Sequence, residues 1–211
     1  MPINRNKKLI FIHIPKCAGT SIAKAFNMYQ EEEIDLNNLY GIDKNNIVLQ
    51  SLCLKFYDKY LEKSLINSCL IFTVVRNPYD RALSDFCWKP GLKRKCKTLY
   101  DYLLLVENTL ENYNDYELMK FNEKLHYNHF LPQYKYIEHN EYKNIKIIKF
   151  ENIQKEINEF IDPNIIIKKT NQSKHIEWKK YYIDKPKCIN LINKIYKKDF
   201  EIFNYEMIII D

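Results

Sequence analysis

The chain has 211 residues, 46% of them hydrophobic, and a net charge of +6 from 33 Lys and Arg against 27 Asp and Glu. A chain of this length buries about 70% of its unfolded surface without a disulfide framework, and is read as one domain, residues 1–211. The basic residues are dispersed, with no zinc-finger spacing and no RNP-type strand, so nucleic acid is not an expected partner. The six cysteines, Cys17, Cys53, Cys69, Cys87, Cys96 and Cys188, form no C-x-x-C pair and read as free thiols of a reducing compartment. The early apolar run LIFIHI is too short for a signal-peptide core or a membrane span, which predicts a soluble, cytoplasmic protein with no membrane span. Only three glycines occur, where average usage is about 7%. Each is therefore expected where the backbone requires it, and Gly19 is one of them.

In chain order, residues 9–14 (LIFIHI) have the pattern of a strand buried on both faces, closed by Pro15. Thr20 and Ser21 are candidate caps of the next helix, which carries Ile22, Ala25, Phe26 and Tyr29 at i, i+3, i+4 and i+7. Residues 34–65 are less regular; IVLQSL is read as a strand and LCLKFYDKYLE as a helix. CLIFTVV (69–75) is a second buried strand, followed by Asn77 as N-cap and Pro78 at the first position of a helix through YDRALSDF. Residues 98–131 read as helical and IKIIKF (145–150) as a third core strand. NIQKEINEFI (152–161) reads as a helix with Asn152 as cap, and IIIK (165–168) as a short strand. Residues 186–203 read as one helix with Pro186 near its start and Ile189, Ile192, Tyr196, Phe200 and Phe203 on one face. Alternating strands and helices predict an α/β fold, a P-loop-like three-layer sandwich with a central parallel sheet.

The stretch HIPKCAGTS (13–21) joins the first strand to the first helix. The first N–H groups of a helix are unpaired and its dipole is positive there, so such a loop takes phosphate or sulfate readily. Gly19 permits close backbone approach, Thr20 and Ser21 offer hydroxyl and N–H groups, and Lys16 supplies a full charge. The order is not that of a Walker A loop, whose lysine directly precedes the hydroxyl residue. The other reading is an ordinary βα turn with a surface lysine. In the second unit, Arg76 ends the strand and Ser84 lies about two turns into the helix. Arg is suited to bidentate phosphate recognition, although an ion pair with Asp80 or Glu151 would also explain Arg76.

IPKCAGTS resembles the 5′-phosphosulfate loop of sulfotransferases that use 3′-phosphoadenosine 5′-phosphosulfate (PAPS), and VVRNPYDRALSDF resembles their 3′-phosphate motif. NHFLPQ (128–133), FENI (150–153), KKDFEIFNY (197–205) and TNQS (170–173) are similar to stretches of the carbohydrate branch, which includes heparan sulfate 2-O-sulfotransferase and chondroitin sulfotransferase relatives. The resemblance spans about residues 9–205. It implies sulfuryl transfer from PAPS to a hydroxyl acceptor, a glycan in that branch, without a metal. Pro15, Lys16, Cys17, Ala18, Gly19, Thr20 and Ser21 would hold the phosphosulfate. Arg76 and Ser84 would hold the 3′-phosphate, and Ser173 lies in a loop that approaches the nucleotide.

Lys16 is then the cation for charge that builds on the bridging oxygen as the S–O bond breaks. A general base is also needed. Gln50 stands where many relatives carry histidine, and glutamine cannot serve. His129, in NHFLPQ, is the candidate, with a structural hydrogen-bonding role as its alternative; His126 is three residues away. Glu31, Glu32 and Glu33 are another source of a carboxylate base, against a solvated helix end. His13 reads as a core histidine, and His139 and His175 as loop residues. Two other functions remain open: a non-catalytic PAPS- or sugar-binding protein of the same fold, favoured by Gln50, and a P-loop phosphotransferase, which lacks its Walker lysine here.

Overall fold

Four strands make one sheet in the order β1-β2-β3-β4. The computed structural model describes residues 3–28, 34–88, 96–122, 126–139, 141–142, 144–168, 170 and 176–210. β2 (Leu9–Ile12), β3 (Leu70–Val75) and β4 (Ile145–Lys149) are mutually parallel, and the two-residue β1 (Ile3–Asn4) pairs antiparallel to β2 at the edge. All four residues of β2 are buried, as are the last five of β3, which is why both read as unbroken apolar runs. β2 and β3 pair Ile10 with Ile71 and Ile12 with Thr73, and the Thr73 hydroxyl donates to the Ile12 carbonyl at 2.8 Å.

Two helices leave the carboxyl ends of the central strands. α1 (Gly19–Ala25) follows β2, and α3 (Pro78–Phe86) follows β3. α2 (Lys63–Ser68) leads into β3. The second apolar cluster is built from α3, α4 (Leu99–Asn112), α8 (Trp178–Tyr182), α9 (Pro186–Ile195) and α10 (Lys197–Phe203), with Phe130 among them. The first holds the sheet, α1 and the buried side chains of residues 47–66. α5 (Asp115–Leu118), α6 (Tyr134–Ile137) and α7 (Ile153–Phe160) add Leu118, Tyr136 and Ile157 to the first cluster, and α7 packs along β4.

The α/β alternation around a parallel sheet is as the sequence predicts, but several elements differ. IVLQSL is not a strand. Ile47 and Val48 make single bridges to Lys120 and Ile42, and Leu49–Ser51 is a 3-10 turn. The N–H of Val48 goes to Met119 and that of Leu49 to Gly41, so neighbouring donors serve different segments and no ladder can grow. Leu54–Lys59 is likewise 3-10. The helix expected over 98–131 stops at Asn112, because a second capping box, Asn114 with Glu117, starts α5. IIIK forms no strand: Gln154 accepts the Ile167 N–H, while Gln154 and Asn158 donate to the Ile165 carbonyl. The helix of 186–203 is two helices, broken at Tyr196. Asn152 occupies the cap position of α7 without a side-chain bond. Asn77 does cap α3, accepting the Tyr79 N–H at 3.0 Å with Pro78 behind it.

Candidate active site

The loop after β2 puts strain where glycine would be easiest. Lys16 has φ 68° and Ala18 has φ 64°, both in the left-handed region. Ala18, not Thr20 or Ser21, is the N-cap of α1, and it makes no side-chain cap bond. Gly19 meets a different need. A Cβ there would lie 1.8 Å from Nε2 of His13, so glycine is required by the imidazole packed on its backbone. His13 keeps some solvent contact, but its ring stacks on Phe11 at 5.8 Å and closes over Gly19. Burial first, and then the charges of His129 and Lys16, hold its pKa down at about 3. The Cys17 thiol is buried and donates to Gln133 Oε1 at 3.3 Å; burial pushes its pKa up to about 12, so it is not a reactive thiolate. Ser21 Oγ accepts the Thr170 N–H at 3.2 Å and shares a 2.9 Å hydrogen bond with the Thr170 hydroxyl. That contact docks the first residue of TNQS on the first turn of α1.

Helix α3 carries two functional stripes beside its apolar one. Asp80 and Ser84 are one turn apart on one stripe, Arg81 and Asp85 on the next. Arg76 Nε donates to Asp80 Oδ2 at 2.7 Å, and Arg76 Nη1 donates to the Lys16 carbonyl at 3.0 Å. The guanidinium lies 4.3 Å from the Phe150 ring centroid. The ion pair with Asp80 therefore exists, and it also aims Arg76 at the loop. Ser84 is buried one turn beyond Asp80.

Apart from Glu151, the frame that holds Arg76 comes from residues that no motif role marks in the sequence. Gln133, fully buried, accepts the Arg76 N–H at 2.8 Å and donates to the Arg76 carbonyl at 2.9 Å. Asp199 stands behind it, accepting the N–H of Gln133 at 2.8 Å and of Tyr134 at 2.9 Å. Burial raises the Asp199 pKa to about 6 against these hydrogen bonds. Glu151 accepts the Asn77 N–H at 2.9 Å, and Tyr205 donates to Glu151 at 2.8 Å. Arg81 is buried; its Nε donates to the Pro15 carbonyl at 3.1 Å and its Nη2 to the His129 carbonyl at 3.0 Å. NHFLPQ, FENI and KKDFEIFNY thus all reach the strand end at Arg76. Their signal in the sequence was the stretch of resemblance, not any single residue.

His129 is ordered from three sides. Its Nδ1 and Asp85 Oδ1 share a hydrogen bond at 2.6 Å, and Tyr102 donates its hydroxyl to Asp85 Oδ2. Its ring stacks on Trp88 at 5.0 Å and 16°. The Lys16 ammonium lies 4.8 Å from the Trp88 ring centroid, so one indole joins the loop lysine to the histidine. The His126 ring is 5.5 Å from that of His129.

The strand-end arginine is bonded to the backbone of the loop lysine. A profile of the sulfotransferase family matches residues 1–206. The chain belongs to the sulfotransferase family. Comparison with curated proteins and with solved structures finds no match. The P-loop-like α/β architecture fits that membership.

In this sulfotransferase Lys16, Arg76, Ser84 and His129 converge around α3 and the loop. Gln50 sits in the 3-10 turn after Val48, and its buried Oε1 has no hydrogen-bond partner among the described residues. Ser173, Tyr29, His175 and Glu31 to Glu33 lie outside the described residues. Among those described, no group of three or more His, Cys, Asp or Glu side chains could hold a metal, and no helix is long and apolar enough to cross a membrane. A separate cleft of about 690 Å³ opens at the far end of α3, walled by Phe86, Tyr100 and Tyr181 with Lys97, Lys185 and Lys187.

Proposed function

We propose that this sulfotransferase moves the sulfuryl group of PAPS to a glycan hydroxyl. The observation that carries the reading is the hydrogen bond from Arg76 Nη1 to the Lys16 carbonyl, which ties the two anion motifs to one edge of the sheet. The loop of residues 15–21 takes the phosphosulfate through the backbone N–H groups at the start of α1, Gly19 to Ser21, and the Thr20 hydroxyl; Pro15 has no N–H and the Cys17 N–H is held by the Ile14 carbonyl. Ser21 works at one remove, since its hydroxyl engages Thr170. Arg76 and Ser84 take the 3′-phosphate. Lys16 turns from the Trp88 face toward the bridging oxygen as charge develops there. His129 takes the proton of the acceptor hydroxyl. No metal is assigned a role. A glycan acceptor is what the resemblance implies; the cleft beyond α3, with Tyr100 and Tyr181 for sugar faces and Lys97, Lys185 and Lys187 beside the single carboxylate Asp184, is compatible with an acidic one.

Radiolabelled PAPS with unsulfated chondroitin and heparosan tests this. Labelled polysaccharide and adenosine 3′,5′-bisphosphate in equal amounts are the expected products. Gln50, with its unpartnered oxygen, favours a second reading, a non-catalytic PAPS-binding protein. Tight nucleotide binding with no transfer to any acceptor, and transfer restored in Gln50→His, would select that reading.

A further inference from the structure

We propose that Asp85 is the positioning residue of the base: with Tyr102 behind it, it keeps the proton of His129 on Nδ1 and leaves Nε2 to receive the acceptor proton. This rests on the sulfotransferase reading and on His129 as base. Asp85 is 2% exposed and Tyr102 1% exposed. Both carboxylate oxygens are engaged, Oδ1 by His129 Nδ1 and Oδ2 by the Tyr102 hydroxyl. With Asp85 ionised, as the proposal takes it, the carboxylate only accepts and the 2.6 Å bond carries its hydrogen on Nδ1. Nε2 is then the lone-pair nitrogen.

Two further constraints fix where that nitrogen points. Stacking on Trp88 sets the plane of the ring, and Arg81 on the His129 carbonyl sets the backbone. Asp85 and Arg81 are one turn apart on α3, so a single helix face holds the histidine at ring and main chain. Trp88 follows the same helix and also carries the Lys16 ammonium, so base and loop cation share one support. Among the described residues the groups around the imidazole include Asp85 from α3, Tyr102 from α4 through Asp85, His126 from its own segment, Lys16 across Trp88, and His13, whose pKa the His129 charge lowers. Among them Asp85 is the carboxylate that bonds the ring, and so the group that stabilises an imidazolium.

In the step itself, the acceptor oxygen bonds to sulfur as its proton passes to Nε2. The bond from sulfur to the bridging phosphate oxygen breaks, and its electron pair leaves with adenosine 3′,5′-bisphosphate. The imidazolium formed is paired with Asp85 and returns its proton to water.

The test combines kinetics of Asp85→Asn with nitrogen NMR of the wild-type protein. Asparagine can still accept from Nδ1–H but carries no charge. Turnover of PAPS with the polysaccharide acceptors should fall on the order of 10²-fold, a part of what a general base supplies. The acid limb of its pH–rate profile should move to lower pH, because an imidazolium without a carboxylate is the stronger acid. Affinity for adenosine 3′,5′-bisphosphate should stay within about twofold. In the wild-type spectrum, above the pH where His129 loses its charge, Nδ1 should be protonated and Nε2 not, the resonances being assigned by their loss in His129→Gln. A wild-type enzyme that turns over while Asp85→Asn keeps both its rate and its acid limb would overturn the positioning role and leave the sulfotransferase reading standing. The spectrum decides even if Asp85→Asn fails to fold: a proton on Nε2 in the wild type refutes the proposal. Loss of nucleotide binding by the wild type would instead remove the reading beneath it.

Discussion

Lys16 and Arg76 are both cations at the loop, but their surroundings predict different losses. Lys16 rests on an indole face and, in the proposed mechanism, makes its strongest contact as charge develops, so Lys16→Ala should depress turnover far more than product-nucleotide affinity. Arg76→Ala should weaken nucleotide binding by about 1.5–3 kcal/mol, the range for a hydrogen bond to a charged group. It should also lower thermal stability, because Asp80 loses its partner in a site where its side chain is 14% exposed. Steady-state kinetics with calorimetry separates the two; parallel losses in both variants would contradict the division. Asp199 gives a pH test. Its folded pKa of about 6 exceeds the usual carboxylate value near 3.9, so the folded chain binds the proton first as pH falls. Relative to Asp199→Asn, the wild type should gain stability from about pH 7 down to pH 4, on the order of 2 kcal/mol at about 1.4 kcal/mol per pKa unit. A gap independent of pH in urea titrations would show that Asp199 is ionised throughout. Motif spacing marks Lys16 and Arg76 in the sequence as candidates. Nothing local announces the buried hydrogen bonds of Gln133, Arg81 and Asp199, whose partners lie 48 to 116 residues away.

At the level of elements, the junction of β2 and α1 is the most constrained. Gly19→Ala should destabilise the fold by about 1–3 kcal/mol or more, since a Cβ meets an enclosed imidazole rather than a flexible chain end. Removing that ring in the double variant His13→Ala with Gly19→Ala should recover part of the loss, a favourable coupling in a double-mutant cycle of thermal unfolding. Additive losses would mean that Gly19 is needed for its backbone alone. The scarcity of glycine marked this position correctly, but the reason is a neighbour 6 residues back rather than the φ angle. The three parallel strands and the Asn77-Pro78 helix start were readable because their signals are local, but β4 is an edge strand with only Ile148 buried, not the core strand its apolar run predicts. IVLQSL and IIIK were misread because apolar, β-branched runs look like strands whether or not a partner strand exists. Here their backbone groups are taken by Met119 and Gly41 in one case, and by Gln154 and Asn158 in the other.

Across the whole molecule, family motifs scattered over residues 9–205 converge on the carboxyl ends of β2 and β3. The loop holds one end of this site and Arg76 the other, joined through the Lys16 carbonyl. In the proposed reading a ligand with phosphates at both its 5′ and 3′ positions would span that arrangement, and one with a single phosphate would not. Isothermal calorimetry of the full chain with adenosine 3′,5′-bisphosphate and with AMP measures this directly and needs no acceptor. The 3′-phosphate should strengthen binding about 10- to 100-fold, the equivalent of one charge-assisted hydrogen bond or more. Equal affinities for the two nucleotides would mean that Arg76 and Ser84 do not read a 3′-phosphate, and would contradict the use of PAPS.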